Sequence, residues 1–346
     1  MSMTLRANYV QDKISIFKEG QISSLTFNPG KDTLLMFENG KSAFAGCMNC
    51  INPKCINIMD KDVECKEFPD ISHNMNRHVC PVNAIKSGAN SIIIDENNCI
   101  GCGLCASNCP VGAIYLKDGK AKVSVRDEKK HILLHADNAG VKKQQKYIDE
   151  IKIEKIEGSI QKETDEVMKI IYSKIKKMTQ EEQNIMVRNL LIGLGNHATL
   201  ARQGNVYMRM DGFYSNNIQF GVIEIETGAE MLDVSRAILD DVAMIDVRYN
   251  ILRKDDQPIA VVLSLPNKRT DYWQVLKDIK EIINLPIRTI TFGALLILLW
   301  NNKKVYKFDD FYIDVDNSSI RKEVVKLLGR KADVSYRLLG ILENSK

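Results

Sequence analysis

Two periodicities divide this chain. Residues 11–46 alternate apolar and polar positions: Ile14, Ile16, Leu25, Phe27 and Leu34 to Phe37, broken at Glu19-Gly20, Pro29-Gly30 and Asn39-Gly40. That alternation predicts short strands, with Asn39-Gly40 as a hairpin turn. Beyond residue 160 the period becomes helical. Val167, Ile170, Ile171 and Ile175 predict an amphipathic helix over about 161–178. Thr179, with Glu182 three residues on, is a capping box that opens a second helix. Its apolar side is Ile185, Leu190, Leu191 and Leu194, and Gly193-Leu194-Gly195 stops it. Strands are then expected over 206–210 and 218–226, a helix over about 229–243 with an extension toward Asn250, and an apolar strand over 259–265. A helix follows from Thr270, then strands over 289–300 and 305–313, and a basic helix capped by Ser319.

Between these regions lies the stretch with the most specific chemistry. Residues 99–110 read CIGCGLCASNCP, four cysteines at spacings x2, x2 and x3 followed by proline. This is the bacterial iron–sulfur run C-x2-C-x2-C-x3-C-P. Zinc wants four ligands in two spaced pairs rather than four packed so closely. Gly101 and Gly103 let the backbone wrap tightly and aim its N–H groups inward. An internal repeat supports the reading: Cys80-Pro81-Val82-Asn83-Ala84-Ile85 returns as Cys109-Pro110-Val111-Gly112-Ala113-Ile114. Upstream stand Cys47, Cys50 and Cys55.

With these motifs, residues 41–125 resemble a bacterial two-[4Fe-4S] ferredoxin domain. The resemblance implies one cluster on Cys80, Cys99, Cys102 and Cys105, and a second on Cys47, Cys50, Cys55 and Cys109. The chain departs from the family pattern in its first half. Cys50 and Cys55 are separated by x4 rather than x2, and an insertion carrying Cys65, His73 and His78 lies before Cys80. Cys65 is read either as a replacement for Cys55 or as a spare ninth cysteine; the two histidines are read as surface residues.

Composition narrows the setting. The chain has 346 residues, so two or three domains are expected, and 45% hydrophobic content suffices for ordinary cores. Nine cysteines concentrated in a thiolate-ligand motif point to a reducing compartment rather than a disulfide scaffold. The opening MSMTLRANYVQD is not a secretory signal, and the apolar run 289–300 is too short to span a bilayer. The expectation is a cytoplasmic protein without a membrane segment. The formal charge of +4 permits nucleic-acid binding without requiring it.

A second constellation lies in the later half. In Val222-Ile223-Glu224-Ile225-Glu226 the carboxylates share one face of a strand, and Asp211 ends the strand before it. If the two strands pair, three oxygen ligands converge at one sheet edge, a set suited to Mg²⁺ or Mn²⁺. Alternating Glu is also what a solvated sheet face carries. The Asp211-Gly212 step and the helix–strand–strand–helix–strand order favour the metal site. This pattern resembles the PD-(D/E)xK nucleases, the fold of restriction endonucleases, with Asp211, Glu224 and Glu226 at the motif positions. Glu226 stands where lysine is commonest. The resemblance implies a Mg²⁺-dependent DNA endonuclease in which Asp211, Glu224 and Glu226 hold metal, with DNA as substrate and a homodimer or protein partner. Glu182 is read as a capping residue. His197, Arg202 and Gln203 are expected in a loop before the Asp211 strand, and Lys268-Arg269 just past a strand end.

The expected fold class is therefore α+β and multidomain, a ferredoxin-like 2[4Fe-4S] domain joined to an α/β restriction-endonuclease-like domain. The expected divisions are an N-terminal β segment (1–40), the ferredoxin-like domain (41–125), a connector (126–160) and the nuclease-like domain (161–346). The competing function is ferredoxin-type electron transfer, with the C-terminal domain docking a redox partner. Neither a Gly-x-Gly-x-x-Gly loop after a strand nor a C-x3-C-x2-C radical loop is present, which argues against a separate flavin or radical active site.

Overall fold

The computed structural model describes residues 15–16, 32–36, 47, 53–69, 72–89, 91–109, 113–117, 119–124, 131–135, 164–205, 208–228, 231–252, 254–267, 269–313, 320–329 and 335–340. The expected Asn39-Gly40 turn, Cys50, Lys268 and the Ser319 cap lie outside them. The chain forms two compact units: Met1–Asn57 with His78–Lys162, and Ile58–Arg77 with Glu163–Lys346. The insertion between the cysteine half-motifs thus belongs to the second unit.

In the first unit, β1 (Ser15–Ile16) and β2 (Asp32–Met36) flank β7 (His131–His135) in an antiparallel sheet. The segment expected to be a connector therefore contains a strand. The remainder is built from two hairpins, β3 (Ile85–Ser87) with β4 (Ile92–Ile94), and β5 (Ile114–Lys117) with β6 (Lys120–Val123). Each hairpin follows one copy of the Cys-Pro-Val-x-Ala-Ile repeat, and the copies are related residue for residue. Asp95 N donates to the Ala84 carbonyl at 2.7 Å, and Ser124 N to the Ala113 carbonyl at 2.8 Å. The cysteine run wraps from Gly101 (φ +81°) and Gly103 into the short helix α2 (Leu104–Asn108). A Cβ on Gly101 would lie 2.2 Å from the Gly119 carbonyl oxygen, so only glycine permits this approach.

The second unit holds a five-stranded sheet, in order β12 (Arg288–Thr291), β11 (Ile259–Val262), β10 (Phe220–Glu226), β9 (Gly212–Ser215), β8 (His197–Leu200). β8, β9 and β10 form an antiparallel meander; β10, β11 and β12 are parallel. β11 and β12 are buried at every position, as parallel strands covered on both faces should be. Of the helices, α3 (Thr164–Ile175) precedes α4 (Gln180–Gly193), which lies against β8, β9 and β10. Next, α5 (Met231–Tyr249) packs on β10 and β11, and α6 (Asp271–Ile283) packs on α5. Finally α7 (Phe292–Trp300) and α8 (Ile320–Leu328) pack together.

Three expectations fail here, each for a local reason. Residues 292–300 are helical, not extended: a wholly apolar run carries no period, and the Thr291 hydroxyl accepts from Ala294 N at 3.1 Å to start a helix buried on every side. Residues 305–313 contain a single 3₁₀ turn at Asp309–Phe311 rather than a strand. His197 stands on β8, so the strand pairing with β9 comes from 197–200, and the described residues 208–210 of the expected strand are irregular.

The insertion, which carries the helical turn α1 (Asp60–Val63), dresses the edge of this sheet. Phe68 stacks on Phe213 of β9 with ring centroids 4.2 Å apart and meets Phe220 edge-on at 6.0 Å. Asn74 N donates to the Leu200 carbonyl at 2.9 Å, and His73 bridges Ala201, occupying the open side of edge strand β8. Among the described residues, no helix is long and apolar enough to cross a membrane.

The capping box is present as expected. Thr179 Oγ1 accepts from Glu182 N at 3.2 Å, and Thr179 N donates to Glu182 Oε2 at 2.8 Å. Thr179→Ala should lower unfolding free energy by about 1 kcal/mol, measured by urea titration of circular dichroism.

Candidate functional site

The first site is the cysteine nest. The thiols of Cys80, Cys99, Cys102 and Cys105 stand within mutual electrostatic reach, the set expected for one cluster. Seclusion from water pushes Cys102 and Cys105 well above the ordinary thiol range, and the neighbouring Cys80 pushes both further. Burial also raises Cys80, while the N–H groups of Ala84 and Val82 draw it back. Thiols held so high release their protons only to a strongly cationic ligand, which is the chemistry of an iron–sulfur cluster.

The backbone supplies donors to these sulfurs in matched pairs. Ala84 N donates to Cys80 Sγ and Ala113 N to Cys109 Sγ, both at 3.2 Å. Ile92 N donates to Cys47 Sγ and Ala121 N to Cys99 Sγ, both at 3.3 Å. The donors advance by the same step as the repeat, so the two halves present equivalent N–H groups to equivalent sulfurs. Cys47, Cys55 and Cys109 are buried. Cys55 lies within reach of Cys105. Cys65, in contrast, belongs to the second unit. Its Sγ faces the Phe213 carbonyl at 3.9 Å, and burial pushes the thiol to about 12. It is a packed, weakly donating core residue.

The second site is a knot of carboxylates. Pairing of β9 with β10 sets Gly212 opposite Ile223, which places Asp211 beside Glu224. Asp211 Oδ2 accepts from Ile225 N at 2.9 Å, and Oδ1 accepts from Asn184 Nδ2 at 2.7 Å. Asp211 N donates to Glu224 Oε1 at 3.4 Å. Glu226 is close enough to repel Asp211, but its Oε1 accepts from Gly228 N in the following turn. Composition and strand period did not single out Asp241. It lies on α5, is 1% exposed, shares a hydrogen bond with Glu224, and has a buried Oδ2 without a partner. The signal in the sequence was only Asp240-Asp241 within an amphipathic helix, where one of two acids faces inward.

Burial, then the neighbouring Asp211, pushes Glu224 up to about 10. Burial pushes Asp241 up to about 6, the hydrogen bond with Glu224 opposing it. Burial raises Asp211 too, against its Asn184 and Ile225 donors. The positive charge of Arg209 draws Asp241 back down slightly. No three acidic, His or Cys side chains among the described residues already stand around one ion position. The donor types nevertheless suit a hard divalent cation: carboxylate oxygens, one of them buried and without a hydrogen-bond partner. Asp211 opens onto a cleft of about 240 Å³ lined also by Gln180, Asn184, Arg202, Gln203 and Asn205. Arg202 and Gln203 thus share a wall with Asp211. Glu182 is occupied in its cap, and His197 lies on β8 with a buried, unpartnered Nδ1.

Comparison with known proteins bears on the first site. Residues 92–115 match the 4Fe-4S binding domain family. The chain is 36% identical over 85 residues to an uncharacterized ferredoxin of Methanocaldococcus jannaschii, covering 23% of this chain and 50% of that protein. A second ferredoxin of that organism is 33% identical over 72 residues, 21% of this chain and 34% of the other. The chain therefore spans half or less of these two relatives. It is 40% identical over 68 residues to the ferredoxin 7Fe of Hydrogenibacillus schlegelii, 20% of this chain and 70% of that protein. Among solved structures, restriction endonuclease FokI aligns with 42% of this chain and 30% of its own at 11% identity and a TM-score of 0.28, too low to assign a fold.

Two outcomes follow. Cys99→Ser and Cys80→Ser should each lose about half or more of the iron and acid-labile sulfide of the purified protein, whereas Cys65→Ser should retain both. Since the raised carboxyls bind protons more tightly folded than unfolded, stability should fall as pH rises from about 4.5 toward 10. The loss is about 1.4 kcal/mol for each tenfold difference in proton affinity. Melting temperature in EDTA should decline over that range, and Glu224→Gln should flatten the decline.

Proposed function

This chain belongs to the 4Fe-4S ferredoxin family through its cysteine-bearing unit, and from that premise we propose a two-module protein, an iron–sulfur unit joined to a metal-dependent DNA endonuclease. The observation that carries the nuclease reading is the gathering of Asp211, Glu224 and Asp241 in the interior beside a polar cleft. A Mg²⁺ or Mn²⁺ ion held there by these residues would lower the pKa of a water and neutralise charge on a phosphodiester. Asp211 is oriented by Asn184 and by Ile225 N. Asp241 adds to the raised proton affinity of Glu224 through their shared hydrogen bond, after burial and the neighbouring Asp211. Glu226 lies two residues beyond Glu224 on β10, where its carboxylate accepts from Gly228 N in the following turn. Two [4Fe-4S] clusters occupy the first unit, one on Cys80, Cys99, Cys102 and Cys105, the other on Cys47, Cys50, Cys55 and Cys109. They hold the fold, dock a partner or sense redox state. A homodimer suits the cutting of both strands of a duplex.

A second reading has its own observation. The paired N–H···S bonds are the kind of contact that tunes cluster potential, and they favour a ferredoxin-type electron carrier whose second unit docks a redox partner.

The experiment is cleavage of plasmid and phage DNA, modified and unmodified, by protein purified without oxygen. With Mg²⁺ or Mn²⁺ the wild type should cut, and Glu224→Ala and Asp241→Asn should each lose about 100-fold or more of the rate. No cutting by the wild type on any substrate overturns the nuclease. Reversible reduction of the clusters would then support the carrier.

A further inference from the structure

A second cleft of the second unit, about 900 Å³, gathers basic side chains that the carboxylate site does not use. Its walls are the outer face of α3 with the turn after it, the residues following β11, and the segment 335–340. Lys169, Lys176, Lys177 and Arg337 line it, together with Ser173 and Ser264. All four cations are exposed. The three lysines have no ion-pair partner among the described residues. The acids on the same wall, Asp165 and Glu166, sit in the first turn of α3, at the opposite end from Lys176 and Lys177. Asp165 already accepts from Ser335 Oγ.

A favourable helix dipole accounts for Lys176 and Lys177 at the end of α3. It does not account for Lys169, two turns earlier on the same stripe, or for Arg337 on a different segment facing the same cleft. The walls are also built rather than incidental. Tyr172 Oη donates to the Leu338 carbonyl at 2.6 Å, and Leu265 N donates to the Gly340 carbonyl at 2.9 Å. The far segment is thereby fastened both to α3 and to the chain after β11.

The cleft is tied to the carboxylate hairpin. Gln183 Nε2 donates to the Ile175 and Met178 carbonyls, which bracket Lys176 and Lys177, at 3.0 and 3.3 Å. Its Oε1 accepts from Thr227 Oγ1 at 3.2 Å, one residue beyond Glu226. β11 runs parallel to β10, so Ser264 and Glu226 lie at the same end of the sheet. We infer that this basic cleft binds the phosphodiester backbone of nucleic acid and leads it toward the Asp211–Glu224–Asp241 cluster. Lysines are suited to this as point charges, contacting phosphates without reading sequence. The inference rests on the nuclease reading for its direction, but the cleft's anion binding is tested separately.

The test is the binding of a short fluorescent DNA duplex by the full chain in EDTA, followed by anisotropy across a salt series. The variant Lys169→Ala/Lys176→Ala/Lys177→Ala should bind about tenfold or more weakly, and its log–log salt slope should be shallower by about 3. Replacing the same three lysines by arginine should preserve both. Lys277→Ala, an exposed lysine paired with Glu281 on α6, should change neither. Unchanged affinity and slope in the triple alanine variant overturn the cleft, even where the wild type cuts DNA. A wild type that binds no duplex overturns it as well. A wild type that cuts nothing but loses binding with the three lysines leaves the cleft standing and removes the nuclease.

Discussion

Concentrating groups that carry the same charge, away from water, is the constraint on which both units turn. A buried charge without a partner costs several kcal/mol, so a protein that gathers such groups leaves them protonated or meets them with positive charge. In the first unit the gathered groups are thiols; in the second they are Asp211, Glu224 and Asp241. Around the sulfurs the chain offers neutral N–H dipoles, and around the carboxylates Asn184, a backbone N–H and the distant charge of Arg209. Dipoles orient a ligand but do not neutralise it. For the thiols that charge comes with an iron–sulfur cluster, and under the proposed function a divalent cation would supply it to the carboxylates.

The way each nest is assembled follows from local geometry. The repeat in the first unit doubles a single device, a cysteine followed four residues later by an N–H that turns back on its sulfur, and a hairpin that brings the next donor round. In the second unit the antiparallel register of β9 and β10 places two acids side by side, and α5 adds the third from the connection between parallel strands. The first arrangement is fixed by short-range contacts. The second depends on the sheet and its helices being complete.

This difference explains what could be read without a structure. The cysteine run, its repeat and the capping box at Thr179 declare themselves by local spacing, and Asp211 and Glu224 by the short turn of a single hairpin. Asp241 did not, since nothing local distinguishes it from Asp240; only the packing of α5 on β10 turns one inward. The helix at 292–300 was invisible for the opposite reason, as a run buried on all sides has no polar face to mark its period. The strand β8 is hard to see because His197-Ala198-Thr199-Leu200 follow a helix stop directly, and an alternation of four residues is too short to separate a strand from a loop. Cys65 misleads when counted with its neighbours along the chain, since its surroundings are those of the other unit.

The insertion between Cys55 and Cys80 has a consequence for how the chain can be divided. Its two ends are drawn together where Val79 N meets the Ile56 carbonyl and Ile58 N meets the Arg77 carbonyl. The segment that shields Phe213 and the rim of β8 is thus a closed loop whose neck lies at the border of the two units. Bringing the ends of such a loop together is an entropic cost that the folded neck removes. No single cut in the polypeptide yields both units intact. A fragment beginning after residue 162 would expose an aromatic face and an unpaired strand, the surface from which sheets aggregate. The insertion is in this sense a piece of the second unit that the chain lays down while it is still tracing the first.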